Sequence, residues 1–300
     1  MIIPKIELVG GVKIPCLGYG PGGFRFPSTN NRFPCINGLC DYFGRKTYTK
    51  HYIDGVSHAI SLGYTLIDSS DTYNNFPQIK KAWEKAGVSR EDLFITSRVD
   101  NRAQVKGNIR DNFFSTLKKL DTDYLDLYQF HWPVKDYYVN TWKELIKLKE
   151  EGYIRVIGVA NCHQHHIECL FDATGVMPEI DQFEVHPLFS QKSLVSFCKA
   201  NDIQVQAYTP IARFDDRLIR LPKLNEIAAN HKKNKVQVIL RWHIQNGLIP
   251  IIKSFNKNNQ RENLNIFDFE LSMDEMKQID GFNINSRLRY DPDNCDFSIL

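Results

Sequence analysis

The chain has 300 residues, of which 42% are hydrophobic and 24% charged, as in an ordinary globular protein. A formal net charge of +3, without any basic run, argues against binding to nucleic acid or to a membrane surface. The seven cysteines lack disulfide or metal-ligand spacing, and the sequence has neither a signal peptide nor an apolar stretch of about 20 residues. We therefore expect a cytoplasmic protein with reduced thiols.

The amino-terminal region predicts a short hairpin and then a long loop. Residues 6–8 and 12–14 flank Gly10-Gly11, a pair typical of a tight turn with positive φ. Residues 16–20 form a short candidate strand. Residues 21–48 are polar and rich in glycine and proline, so we predict a loop, and loops of that length are usually functional or disordered.

From residue 52 onwards the chain alternates predicted helices and strands. Strands are predicted at 65–68, 93–98, 124–133, 154–159, 179–183, 203–208 and 248–252. Helices are predicted at 52–62, 79–86, 105–120, 141–149, 165–171, 193–200, 221–230 and 236–245.

With the segment at 16–20, the predicted strands reach the number that closes a (β/α)₈ barrel. An open doubly wound sheet is the alternative, but its glycine-rich turn should lead directly into a helix, whereas Gly20-Pro-Gly-Gly23 opens the long loop. We predict one α/β domain over residues 1–300, a TIM barrel with an N-terminal hairpin, an inserted loop at 21–48 and a C-terminal specificity tail at 282–300.

Polar side chains recur where the predicted strands end. They are Asp68, Arg98, His131, Asn161, Gln182, Tyr208 and Lys253. Because barrels of this type keep their active sites at the carboxyl ends of the strands, we expect these side chains to converge. The alternative for the first three is a structural network of ion pairs.

Several stretches resemble the aldo-keto reductase superfamily in consistent order between Ile6 and Asp280. They are GYTLID at 63–68 with Tyr73, YLDLYQFHWP at 124–133, IRVIGVAN at 154–161, QFEVHP at 182–187, AYTP at 207–210 and IPIIKS at 249–254. The resemblance implies a (β/α)₈ barrel and NADPH-dependent reduction of an aldehyde or ketone.

The resemblance also implies a catalytic set, with one departure. Asp68, Tyr73 and His131 match the family's residues, but Arg98 stands where the family has lysine. Tyr73 would give its proton to the carbonyl oxygen, which His131 would orient. A tyrosine with a free pKa of about 10 needs a nearby cation to lower that pKa. Arg98 keeps the charge but is bulkier and can point past Tyr73 towards Asp68, so we expect slower catalysis rather than none.

The cofactor positions carry over more completely. The resemblance implies that Asn161 and Gln182 hold the nicotinamide carboxamide, that Tyr208 stacks on the nicotinamide ring and that Thr209 opens the pyrophosphate loop. It also implies that Lys253 and Ser254 contact the 2′-phosphate, and that Glu262 and Asn263 contact adenine. A cation and a hydroxyl suit a phosphate, so we expect NADPH. Asn259 replaces a frequent arginine, and Arg261 lies nearby.

The sequence predicts less about the substrate pocket. We expect Trp132, Phe24 and Phe26 to line it, with Gly22 where the family usually has tryptophan. The aromatic loop predicts a lid, and a disordered insertion is the alternative. The tail, with aromatic and basic residues, lies where the family places a specificity loop. The expected partner is a small-molecule carbonyl substrate, and we expect a monomer.

Two other interpretations stay open, and one motif is set aside. The chain could bind NADPH with little turnover as a regulatory or scaffold subunit, or be a barrel hydrolase or isomerase that uses Asp68 and His131. The run His163-Gln-His-His166 resembles a metal cluster, but no carboxylate or cysteine set completes it, so we predict a solvated helix start and no metal site.

Overall fold

The computed structural model describes residues 2–24 and 37–298, with the backbone alone at 37–45. A hairpin comes first, formed by β1 (Lys5–Glu7) and β2 (Lys13–Pro15), which pair antiparallel. Gly11 in its turn has φ of 76°, the left-handed conformation that glycine adopts without strain. The hairpin prediction is confirmed.

Eight parallel strands then close into a barrel. They are β3 (Gly18–Tyr19), β4 (Leu66–Asp68), β5 (Phe94–Val99), β6 (Leu125–Phe130), β7 (Ile154–Ala160), β8 (Ile180–Glu184), β9 (Gln204–Tyr208) and β10 (Ile249–Ile252). Each pairs with the next along the chain, and β10 pairs with both β9 and β3. The predicted (β/α)₈ barrel is therefore confirmed.

Helices cover the outside of the barrel. They are α1 (Asn37–Ser61), α2 (Phe76–Ala86), α3 (Asn101–Lys106), α4 (Ile109–Leu120), α5 (Tyr138–Glu150), α6 (Gln164–Thr174), α7 (Lys192–Ala200), α8 (Asp216–Ile219), α9 (Pro222–Asn230), α10 (Lys235–Gln245), α11 (Lys257–Leu264) and α12 (Met273–Asp280). Within the described residues, none of these helices is both long and apolar enough to cross a membrane.

Two predicted boundaries are wrong. The predicted loop at 21–48 ends earlier, because α1 already begins at Asn37. Its first turns contain Gly38 and Gly44, two residues that disfavour a helix, which is why the sequence indicated a loop there. The single helix predicted at 105–120 is two helices, because Gly107 adopts φ of 67° and caps α3 with bonds to the preceding turn.

The hairpin and the strand ends give the barrel two different faces. Leu8 and Ile14 of the hairpin region pack with Leu66, Phe94 and Ile249, which begin three of the strands. The amino-terminal end of the barrel is thereby closed by apolar contacts. Polar side chains are left to gather at the carboxyl ends of the strands.

Candidate active site

One cavity of about 610 Å³ opens among the carboxyl ends of the strands. Most of the residues predicted for a site from the sequence line it. They are Asp68, Tyr73, Arg98, His131, Trp132, Asn161, Gln182, Tyr208, Thr209, Lys253 and Ser254. The barrel thus brings together side chains that are separated by as much as two-thirds of the chain.

Arg98 forms the polar centre of this cavity and is only 2% exposed. Its guanidinium donates to the Asp68 carboxylate, to Oε1 of Gln182 at 2.5 Å and to the carbonyl oxygen of Ser69 at 2.7 Å. Gln182 donates in turn to Oδ1 of Asp68 at 2.9 Å. The buried positive charge is therefore paired and held in one orientation by three partners.

Tyr73 is placed by a 3₁₀ turn, Asp71–Tyr73, that follows β4. Ser70 caps this turn by accepting a hydrogen bond from the Thr72 amide. Within residues 2–24 and 37–298 the Tyr73 hydroxyl makes no hydrogen bond, and Arg98 reaches it only through space. Burial raises the pKa of Tyr73, and the charge of Arg98 offsets part of that rise. The phenol is therefore protonated and directed at the cavity.

His131 lies beside Tyr73, with their ring centroids 6.1 Å apart in an edge-to-face arrangement. Its Nδ1 is 3.3 Å from the Ser70 hydroxyl. Burial, together with the positive charge of Arg98, lowers the pKa of His131 to about 3. A neutral imidazole at this position is a hydrogen-bonding group rather than a second cation.

Asn161 and Tyr208 form a linked pair at the next part of the wall. The Tyr208 hydroxyl donates to Oδ1 of Asn161 at 2.6 Å, and the Asn161 amide donates to the carbonyl oxygen of His131 at 2.9 Å. Asn161 adopts φ of 60°, a left-handed conformation that asparagine tolerates better than most residues. The Gln182 amide is occupied as well, by Asp68, Arg98 and Gln206.

Lys253 and Ser254 line the far end of the cavity. Among the described residues Lys253 has no anionic partner, and partial burial lowers its pKa. Gly22 packs against this ammonium: a Cβ added there would lie 2.9 Å from Nζ, and its φ is 73°. Gly22 thus makes room for an ammonium that has no anionic partner among the described residues, which suits a phosphate group.

Three of the predicted residues that the structure describes, Phe24, Glu262 and Asn263, do not line the cavity. The ring of Phe24 packs against Tyr48 and Tyr52 at 5.4 and 5.2 Å. Glu262 and Asn263 lie on α11, and Glu262 accepts a hydrogen bond from the Asn234 side chain. Phe26, like the rest of the lid between residues 25 and 36, lies outside the described residues.

Two basic residues of the cavity, Arg213 and Arg289, were missed by the sequence analysis. Arg289, in the tail, lines the cavity, and its backbone amide donates to the Glu184 carboxylate at 2.9 Å. Its charge acts in the same direction as that of Arg98 on the pKa of both Tyr73 and His131. The two arginines at 287 and 289 were the only indication in the sequence that the tail brings positive charge to the cavity. No motif of the sequence connects the tail to the strands.

The family model described as the Aldo/keto reductase family matches residues 36–284. The chain belongs to the aldo/keto reductase family. The resemblance inferred from the motifs is therefore confirmed.

Relatives with named activities share most of their length with this aldo/keto reductase. A glyoxal reductase of Bacillus subtilis (strain 168) is 41% identical over 244 residues, which cover 81% of this chain and 88% of that protein. A methylglyoxal reductase of Escherichia coli (strain K12) is 38% identical over 248 residues, which cover 80% and 88%. A crystal structure of a Bombyx mori aldo-keto reductase in complex with NADP matches with a TM-score of 0.81 at 30% identity, covering 98% of this chain and 97% of that chain.

Proposed function

We propose that this aldo/keto reductase reduces an aldehyde or ketone to an alcohol with NADPH, with Tyr73 as the proton donor. The observation that carries the proposal is the protonated Tyr73 hydroxyl, which has no hydrogen-bond partner in the described part of the chain, beside neutral His131 in the cavity that Lys253 also lines. The named activities of the bacterial relatives and the NADP-bound relative support it.

Each side chain of the site has its own part in the proposed reduction. When bound, NADPH supplies the hydride that reaches the carbonyl carbon. His131 donates a hydrogen bond to the carbonyl oxygen and so fixes its position. Tyr73 gives its hydroxyl proton to the same oxygen as negative charge develops there. Arg98, held by Asp68 and Gln182, stabilises the phenolate that remains.

The cofactor would be held along the wall from Asn161 to Ser254. Asn161 and Tyr208 would face the nicotinamide, Thr209 the pyrophosphate, and Lys253 with Ser254 the 2′-phosphate. We expect Gln182 to contribute less than the resemblance implies, because its amide would have to give up a charge-assisted bond to Asp68 or Arg98, whereas the amide of Asn161 would give up a neutral one. Glu262 and Asn263 remain proposed adenine contacts on α11.

Small dicarbonyl aldehydes are the substrates that we propose to test first. The cavity, which the substrate would share with the nicotinamide, is bordered by Trp132, whose ring stacks on Phe297 of the tail at 4.2 Å. Such substrates are also the ones named for the relatives from Bacillus subtilis and Escherichia coli. We expect slower turnover than with a lysine at position 98, because all the bonds of Arg98 go to partners other than Tyr73.

The test is NADPH oxidation by the purified protein with glyoxal, methylglyoxal and a wider panel of carbonyls. Tyr73→Phe should lower kcat by about 10²–10⁴-fold, the usual contribution of a general acid. Tyr153→Phe is the matched control, because Tyr153 packs against Phe113 and Phe114 on the outside of the barrel.

Two outcomes would contradict the proposal in different ways. Full activity of Tyr73→Phe would remove Tyr73 from the proton-donor role. Tight NADPH binding without turnover of any carbonyl would favour the regulatory or scaffold subunit, and absence of NADPH binding would revive a hydrolase or isomerase.

A further inference from the structure

Three histidines at the start of α6 surround one carboxylate of the tail. Nδ1 of His163 lies 2.7 Å from Oδ2 of Asp293, and Nε2 of His165 lies 3.2 Å from Oδ1. His166 approaches the same carboxylate at 3.6 Å. The sequence analysis found no set of carboxylates or cysteines to complete this histidine run, but the fold brings Asp293 to it from 130 residues away.

We propose that His163, His165 and Asp293 bind a divalent transition-metal ion of the zinc, cobalt or nickel class. Their ligand atoms all lie within 4.8 Å of one another. Metal–ligand bonds of about 2.0–2.2 Å in a tetrahedron place ligand atoms roughly 3.3–3.5 Å apart, so small side-chain rotations would suffice. All three side chains are partly exposed, so an ion can enter from solvent and water can complete the shell. The prediction of a solvated helix start is replaced by this proposal.

His166 has a supporting role in this site. Its Nδ1 accepts a hydrogen bond from the His163 backbone amide at 3.1 Å, so the proton of the neutral ring is on Nε2 and faces Asp293. Such a partner orients a metal-binding carboxylate without contacting the ion.

Arg287 opposes metal binding. One of its guanidinium nitrogens lies 3.3 Å from Nε2 of His163. When Nδ1 of His163 binds a metal, Nε2 carries the proton and can no longer accept from Arg287. The guanidinium must then turn away, so Arg287→Gln should bind the ion more tightly than the unaltered chain does.

Metal binding would restrain the tail. Asp293 lies between Arg289, which lines the active-site cavity, and Phe297, which stacks on Trp132. An ion held by Asp293 and α6 therefore ties the tail to the barrel wall beside the cavity. The tail would be more firmly closed with metal than without it.

The experiment uses metal-stripped full-length protein carrying Cys169→Ser, because the exposed Cys169 thiol on α6 could itself bind the probe. Titration with CoCl₂ should give one ligand-field absorption spectrum of a nitrogen- and oxygen-bound ion at one equivalent. His165→Ala, whose side chain is 60% exposed, should weaken binding by about tenfold or more without loss of the fold, as should Asp293→Asn. His231→Ala is the control, because His231 pairs with Glu275 alone.

Trypsin digestion tests the effect on the tail, which offers Arg287 and Arg289 as cleavage sites. ZnCl₂ should slow cleavage in the Cys169→Ser protein and leave it unchanged in its His165→Ala derivative. Cobalt binding that is equal in all variants would overturn the proposed ligands. Unchanged cleavage with bound zinc would overturn the attachment of the tail.

Discussion

Replacing Arg98 by methionine tests whether its buried ion pair stabilises the barrel. Arg98 is 2% exposed and Asp68 is 6% exposed, so neither group has water as an alternative partner. Methionine removes the charge and keeps most of the side-chain volume. Asp68 would then retain only the Gln182 amide as a side-chain donor.

The expected loss can be estimated from burial. Removing one partner of a buried ion pair costs about 3–5 kcal/mol, because the other charge is left uncompensated. The entropy of unfolding is about 2.1 cal/mol/K per residue, or roughly 0.6 kcal/mol/K for this length. We therefore expect Arg98→Met to lower Tm by about 5–8 °C.

A thermal-unfolding series measures this loss and its origin. Arg98→Met, Asp68→Asn and the double variant form a cycle, and the double variant should lose less than the sum of the single variants. Arg110→Met is the matched control: Arg110 makes two bonds to Glu151, at 2.9 and 2.6 Å, but the pair is exposed to solvent. Its substitution should change Tm far less. Equal losses at Arg98 and Arg110, or an additive cycle, would refute the reasoning.

Three further predictions follow from the site. Burial raises the pKa of Asp71 to about 6, so the native state binds its proton more tightly than the unfolded chain. The free energy of unfolding should therefore fall by up to about 3 kcal/mol as pH rises from about 4 to 6, and Asp71→Asn should remove this slope in urea titrations. Gly22→Ala should weaken NADPH binding by about tenfold in fluorescence titrations, since the φ of 73° and the contact with Lys253 are both disturbed. Alcohol oxidation with NADP⁺ should accelerate about tenfold per pH unit, because Tyr73 must first lose its proton; a plateau well below the usual phenol pKa of about 10 would contradict this.

Topology explains why so much of the site could be predicted. Strand-end residues such as Asp68, His131 and Lys253 must meet, because parallel strands of a closed barrel all end at one face. The start of α1 and the break at Gly107 depend on local backbone conformation, which apolar periodicity does not detect. Contacts of the tail, such as that of Asp293, depend on packing between distant segments.

The contacts of Arg98 could be predicted only in part from the motifs. The sequence correctly indicated a cation directed at Asp68, since position and charge follow from the motif. It assigned Gln182 to the cofactor, because that residue matches the family's position for the nicotinamide carboxamide. The guanidinium of Arg98 also donates to Gln182 and to the Ser69 carbonyl, so the residue at position 98 determines which hydrogen bonds of Gln182 are already made. Under the proposed function, the nicotinamide carboxamide therefore depends more on Asn161, whose amide would exchange only neutral hydrogen bonds to bind it.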